Sequence, residues 1–314
     1  MRVLSLLALL PSVVSTAAVQ PNTNAISTQI NSVPDQIANA TGLSWVDPRL
    51  TIDPEAGAGA VNEISAYINA LGLLSALAIK DFDSTLTSTL SASIAPWDDV
   101  KISIQRGQAP LPRRFAIWGL FRAIYYISKT APTNSTIGLQ YDGQPVGTIL
   151  FRSVTRPNAL DAAGSDSSTN ITVAFPPEAL PPEALPATQT TYKSNGKDLS
   201  LAGIYISLAS ALVQMAEKAA TDLMFALTHG WPEFDTWIKI TPEMRVDPPD
   251  MAVVDGISAV CQTANTIAER ARYAEFTTLV IVQDMLVGRI DVEYGQGPAV
   301  QMPDPGVAGQ VDTT

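Results

Sequence analysis

The chain has 314 residues, of which 46% are hydrophobic and 16% charged, and its formal net charge is −11. A chain this acidic repels phosphate backbones and anionic lipid surfaces, which argues against nucleic-acid binding. Its length is sufficient for a large hydrophobic core, and a single cysteine, Cys261, excludes any disulfide within the chain.

Residues 1–18 have the pattern of a secretory signal peptide. Arg2 precedes an apolar run at 3–10, and small residues occupy 15–18. The apolar run is too short to span a bilayer, and no stop-transfer segment follows it. Glycosylation sequons begin at Asn39, Asn134 and Asn170. We therefore predict a secreted, extracellular glycoprotein without a transmembrane segment.

Four stretches share one pattern, an amphipathic helix followed by two short strands: 64–104, 115–151, 201–240 and 254–292. A repeated helix–strand–strand (αββ) unit is a circular permutation of the ferredoxin-like strand and helix order. The pattern predicts an α+β fold of four tandem αββ units. These pair into two ferredoxin-like antiparallel sheet layers with helices on one face. A single eight-stranded sheet is the alternative.

In chain order, residues 19–60 are a loop-rich segment with a candidate strand at 48–53. The first αββ pair covers 61–154, a Pro/Ser-rich linker 155–198, the second pair 199–294 and a flexible tail 295–314. Apolar residues spaced by three and four predict helices over 61–80, 113–129, 200–218 and 252–272. Alternating apolar residues predict strands at 137–141 and 223–227, and turn residues predict hairpins at 142–145 and 229–232.

Common catalytic and cofactor motifs are missing from the sequence. The glycine-rich stretch 57–62 has Asn62 where a dinucleotide fingerprint needs its third glycine, and helix–strand–strand order is not βαβ. His229 is the only histidine, and no HExxH pattern or cysteine cluster occurs. We predict that the protein binds no metal or cofactor, that His229 is a hairpin-turn residue, and that Cys261 is a buried thiol.

The turns between strands contain the candidate site. Their carboxylates and tryptophans are Asp98, Asp99, Asp142, Glu233, Asp235 and Asp284, with Trp97 and Trp231. Carboxylate pairs beside aromatic rings are required for glycoside hydrolysis or carbohydrate binding. Asp is also favoured in turns for backbone reasons alone, so we expect these residues to have a structural role in their turns.

The sequence favours a non-enzymatic secreted protein that binds a protein, a glycan or a small apolar ligand. The alternative is an acid hydrolase, on polysaccharide for example, that uses the turn carboxylates. A structural or surface-coat protein is a third hypothesis, which its oligomeric state would distinguish.

Secretion predicts a defined mature form. Mass spectrometry of the protein from its natural source should show an N-terminus near Val19 and hexosamine on Asn39, Asn134 or Asn170. An intact Met1 on cell-associated protein would contradict this prediction.

Overall fold

The computed structural model describes residues 46–154, 188–243 and 250–295. It has the mixed α+β fold that the sequence predicted, with four helices in these ranges and antiparallel sheets. The first half contains β1 (Leu50–Ala60), α1 (Glu63–Ala78), β2 (Thr85–Leu86), β3 (Leu90–Ala92), β4 (Val100–Arg106), β5 (Leu111–Pro112), α2 (Arg113–Lys129), β6 (Thr133–Tyr141) and β7 (Gln144–Ser153). The second contains β8 (Thr188–Asp198), α3 (Leu201–Ala216), β9 (Leu227–Trp231), a 3-10 turn (Pro232–Phe234), β10 (Thr236–Pro242), α4 (Val253–Arg270), β11 (Ala274–Val282) and β12 (Met285–Tyr294).

Each half builds its own five-stranded antiparallel sheet. The strand order is β1-β6-β7-β4-β3 in the first sheet and β8-β11-β12-β10-β9 in the second. The two orders correspond strand by strand, because β1 and β8 precede the first helix of their half, β3–β4 and β9–β10 lie between its two helices, and β6–β7 and β11–β12 follow the second helix. The alternative of one eight-stranded sheet is therefore wrong, and each sheet has one strand more than predicted because β1 and β8 add to its edge.

The helices form the middle of the molecule. Helices α1 and α2 pack on the first sheet, α3 and α4 pack on the second, and helices from the two halves contact each other. The side chains of α1 and α3 are consequently buried almost all round, with 13 of 16 residues buried in each. The prediction of a single buried face is wrong for these two helices, because a sheet covers one side and the other half's helices cover the opposite side.

Two tyrosines stack where the halves meet. Tyr67 is the fifth residue of α1 and Tyr205 the fifth residue of α3. Their rings lie parallel, with centroids 5.0 Å apart and planes at 3°, and both side chains are fully buried. The Tyr205 hydroxyl donates to the carbonyl oxygen of Ala264 in α4, at 3.3 Å. Burial raises the pKa of both phenols above the usual range, so neither ring carries charge inside the core.

Short polar side chains begin these two helices. The Asn62 side chain accepts hydrogen bonds from the backbone N–H groups of Ile64 and Ser65, and the Ser200 hydroxyl accepts one from Gly203. Such caps satisfy N–H groups that have no partner within a helix. Both ends of each of the four helices lie within two residues of the predicted positions, and the ends of α2 coincide with them.

Three sequence predictions about strands need correction. The predicted strand at 48–53 extends to Ala60 as β1, and β8 occupies the last part of the predicted linker. Of the predicted strand 223–227, only Leu227 belongs to β9. Residues 223–226 are all apolar, and their chain crosses to the segment before α4, where Leu223 forms an isolated bridge with Ala252. Residues 1–45, 155–187 and 296–314 lie outside the described ranges and include the predicted signal, Asn39 and Asn170.

The tyrosine stack should contribute strongly to stability. We expect Tyr67→Ala and Tyr205→Ala each to lower the free energy of unfolding by about 3–5 kcal/mol, as for other large buried aromatic side chains. The double variant should lose less than the sum, because the two rings contact each other. Urea unfolding measures these values. Tyr294→Ala is the control, since Tyr294 is 44% exposed and should cost under about 1 kcal/mol.

Candidate functional site

Three of the predicted carboxylates occupy left-handed turn positions. The backbone φ angles are 50° at Asp142, 47° at Asp235 and 62° at Asp284. Among residues with a Cβ, Asp and Asn tolerate this conformation best, and the tight turns between strands require it. Backbone geometry thus accounts for an aspartate at each of these three positions.

Asp98, Asp99 and Asp142 contact side chains and backbone groups of nearby segments. Asp142 lies 3.8 Å from Arg49, and both side chains are more than half exposed. In the turn between β3 and β4, the carbonyl oxygen of Asp99 accepts a hydrogen bond from Val154 N–H at 2.8 Å. The carbonyl oxygen of Asp98 accepts one from the Ser93 hydroxyl at 3.4 Å. These contacts hold the turns against neighbouring strands.

Glu233 differs from the aspartates because it contacts the other half of the molecule. It lies in the 3-10 turn before β10 and accepts a hydrogen bond from the Tyr125 hydroxyl of α2. Lys129 Nζ is 2.6 Å from the second carboxylate oxygen and 4.1 Å from the Phe234 ring centroid. Burial, reinforced by Glu233, raises the pKa of Tyr125 above its usual range. The cluster fastens the second half to helix α2.

The two predicted aromatic platforms are packed inside the protein. Trp231 is fully buried and lies against Phe121, Tyr125 and His229. Trp97 is partly buried, and its indole N–H donates to Asn265 Oδ1 of α4 at 3.0 Å. Trp97 therefore links the first half to the second, as Glu233 links the second to the first.

His229 is not at a hairpin tip, as the sequence predicted, but within β9, where it pairs with Ile238. The β9–β10 turn begins later, at Pro232, because Trp231 must stay in the strand to reach the core. Burial lowers the pKa of His229 to about 4. Burial likewise raises the pKa of the Cys261 thiol to about 12, so Cys261 remains a neutral apolar group.

The Asn134 side chain lies between strands β1 and β7. Its Nδ2 donates to the carbonyl oxygen of Ala58 at 2.6 Å, and its Oδ1 accepts from Ser153 N–H at 2.7 Å. The hydroxyl of Thr136, the third sequon residue, accepts from Arg152 at 2.8 Å. Asn134, a predicted glycosylation site, therefore also connects strand β6 to β1 and β7.

Within the ranges that the structure describes, no group of three His, Cys, Asp or Glu side chains could hold a metal ion. No helix in those ranges is both long and apolar enough to cross a membrane.

A cavity of about 470 Å³ lies in the second half, between the segment that follows α3, the end of β10 and the residues before α4. Its apolar walls are Leu223, Met224, Phe225, Ala226, Pro242 and Met251. Thr241, Glu243 and Asp250 are the polar lining residues. The Thr241 hydroxyl is buried and has no hydrogen-bond partner among the described residues.

Thioether side chains form the floor of this cavity. Met224 and Met251 are at most 6% exposed, and the backbone N–H of Met224 donates to the carbonyl oxygen of Met251 at 2.8 Å. Residue 256 of helix α4 is a glycine and lies close to these thioethers. A Cβ there would lie 2.9 Å from Met215 Sδ and 3.2 Å from Met224 Sδ. Methionine is flexible and polarizable, which suits a binding surface that adapts to its ligand.

The chain matches no protein-family model, no curated protein and no solved structure. The function must therefore be inferred from the site itself.

The cavity residues were missed in the sequence because Leu223 and Phe225 fit the alternation of a strand. The distribution of methionines along the sequence does indicate this region. Four of the seven methionines fall between residues 215 and 251, at Met215, Met224, Met244 and Met251. Such a concentration is a feature of adaptable apolar binding surfaces.

The burial of His229 predicts a pH dependence of stability. Its pKa is about 4 in the folded protein and about 6.5 when unfolded. The unfolded chain therefore binds a proton first, and stability should fall as the pH is lowered from about 6.5 to 4, by roughly 2–3 kcal/mol.

His229→Gln should remove this part of the pH dependence in urea unfolding curves. Because His229 is the only histidine, NMR titration of the untagged protein reports its pKa directly. A folded-state pKa near 6.5 would contradict the prediction.

Proposed function

We propose that the protein is a secreted, non-enzymatic binding protein that holds a small apolar ligand in the cavity between β10, the segment after α3 and the segment before α4. The cavity is the observation that carries this proposal. Its volume falls within the range of small-molecule sites, and its walls are apolar with a few polar groups, which is the usual composition of such sites.

The free energy of burial supports an alkyl or aryl ligand. Each methylene transferred from water contributes about 0.8 kcal/mol. A chain of roughly ten carbons therefore offsets the loss of translational and rotational freedom, at least about 4 kcal/mol, with several kcal/mol remaining. Leu223 is 67% exposed without a ligand, so a bound alkyl chain would also cover apolar surface that now faces water.

The turn residues support the non-enzymatic part of the proposal. Asp142, Asp235 and Asp284 have the backbone conformation of turn residues, and Trp231 is buried in the core. Glu233 forms an ion pair with Lys129. Each residue thus has a structural role that explains its presence in its turn.

We also propose that the fold consists of four tandem αββ units, paired into two ferredoxin-like layers. The matching strand orders of the two sheets support this proposal. So does the position of Tyr67 and Tyr205, each the fifth residue of the first helix in its half. Secretion and glycosylation at Asn39, Asn134 or Asn170 remain part of the proposal on the basis of the sequence.

Fluorescence of N-phenyl-1-naphthylamine tests the binding function, because this apolar dye brightens when it leaves water. We expect saturable binding that decanol displaces. Ala226→Trp should fill the cavity and reduce dye affinity at least about tenfold, the effect of losing about 1.4 kcal/mol.

Ala109→Trp makes the same change at an exposed alanine of the first half, outside the cavity lining, and should leave binding unchanged. Both variants should keep the melting temperature of the parent protein. Absence of saturable binding, or equal binding by Ala226→Trp, would refute the proposal.

A further inference from the structure

The cavity has a counterpart position in the first half of the molecule. There, β2 pairs with β5 just before helix α2, with Thr85 opposite Pro112 and Leu86 opposite Leu111. In the second half, Leu223 is opposite Ala252 just before helix α4, and Met224 is bonded to Met251. We call each of these two short pairings a ribbon. A backbone hydrogen bond ends each ribbon: Arg113 N–H donates to the Ser84 carbonyl oxygen at 2.8 Å, and Val253 N–H donates to the Asp222 carbonyl oxygen at 2.9 Å.

The end of the neighbouring strand also matches between halves. Gly107 N–H donates to Val146 at 3.0 Å after β4, and Glu243 N–H donates to Val287 at 2.8 Å after β10. Counting from these bonds pairs seven of the nine lining residues with residues of the first half. Leu223, Met224 and Phe225 correspond to Thr85, Leu86 and Thr87; Pro242 and Glu243 to Arg106 and Gly107; Asp250 and Met251 to Pro110 and Leu111.

The two ribbons therefore share these backbone hydrogen bonds and differ in side chains. Two threonines in the first half are replaced by Leu223 and Phe225 in the second, and Arg106 is replaced by a proline. Gly107 and Pro110 are replaced by the carboxylates Glu243 and Asp250. Phe225 packs against the core, but Leu223 is 67% exposed and both carboxylates are exposed, so these three side chains do not serve packing of the ribbon. They combine an apolar surface with negative charge at one cavity.

We infer that the ligand of this cavity is an amphiphilic cation, an alkyl or aryl amine whose apolar body fills the cavity and whose protonated nitrogen lies between Glu243 and Asp250. The inference rests on the proposed binding function. The described lining carries two negative charges and no positive one. Lys218 lies 5.8 Å from the Phe225 ring centroid but does not line the cavity.

The two carboxylates should add a preference for cationic ligands to the affinity that apolar contacts provide. An exposed carboxylate attracts a nearby cation by up to about 1 kcal/mol, or roughly fivefold in affinity. Two carboxylates at the rim should therefore favour a cation over a neutral ligand by about tenfold, and an anion should bind more weakly than either. The preference should shrink in high salt, because exposed charges are screened within about 10 Å at 0.1 M.

A matched series with one alkyl chain separates the head group from the body. Decylamine, decanol and decanoate, each below its micelle concentration, are titrated against bound N-phenyl-1-naphthylamine at pH 7. We expect decylamine to bind about tenfold more tightly than decanol, and decanoate to bind most weakly. Glu243→Gln with Asp250→Asn should bring decylamine to the affinity of decanol without changing that of decanol.

The control variant is Asp53→Asn with Glu55→Gln, which removes the same charge from exposed positions of β1 and should keep the preference. Equal binding of decylamine and decanol, or a preference that survives in the cavity variant, would overturn the inferred ligand class. In both cases the binding function would stand. Failure of all three ligands and of the dye would overturn the binding function itself.

Discussion

The architecture depends on two helices that are buried on almost all sides. Helices α1 and α3 carry 13 buried residues each, including serines and an asparagine, and their one-sided burial against a sheet would leave an apolar surface exposed. Each half therefore requires the other half as its second cover. The result is two layers of helices, one from each half, between two sheets, and the stacked Tyr67 and Tyr205 lie where the two most buried helices cross.

This constraint explains the contacts between halves. The connection between β3 and β4 reaches across to α4, where Trp97 binds Asn265. The connection between β9 and β10 reaches across to α2, where Glu233 binds Tyr125 and Lys129. The two contacts come from corresponding loops and fasten corresponding helices. Trp97 and Glu233, which the sequence placed in a candidate carbohydrate site, instead join the helices of the two halves.

The cavity is a local departure from the same plan. In the first half, Leu86 and Leu111 are buried where the ribbon pairs, and in the second half the corresponding Met224 and Met251 are buried and line the cavity beside exposed Leu223. Gly256 lets the thioethers approach helix α4, where a methyl group would be too close to Met215. A cavity can thus form at one ribbon while the core remains packed.

The sequence by itself determined the helices, their boundaries and the α+β class. These follow from local signals, namely apolar spacing and capping residues such as Asn62 and Ser200. The tertiary structure decided which side chains meet. The spacing of Trp231 and His229 could not show that β9 continues to the core, and the alternation of Leu223 and Phe225 could not show a crossing to Ala252. Such contacts join residues that are not neighbours in the chain, and their free energy exists only once the tertiary structure has formed.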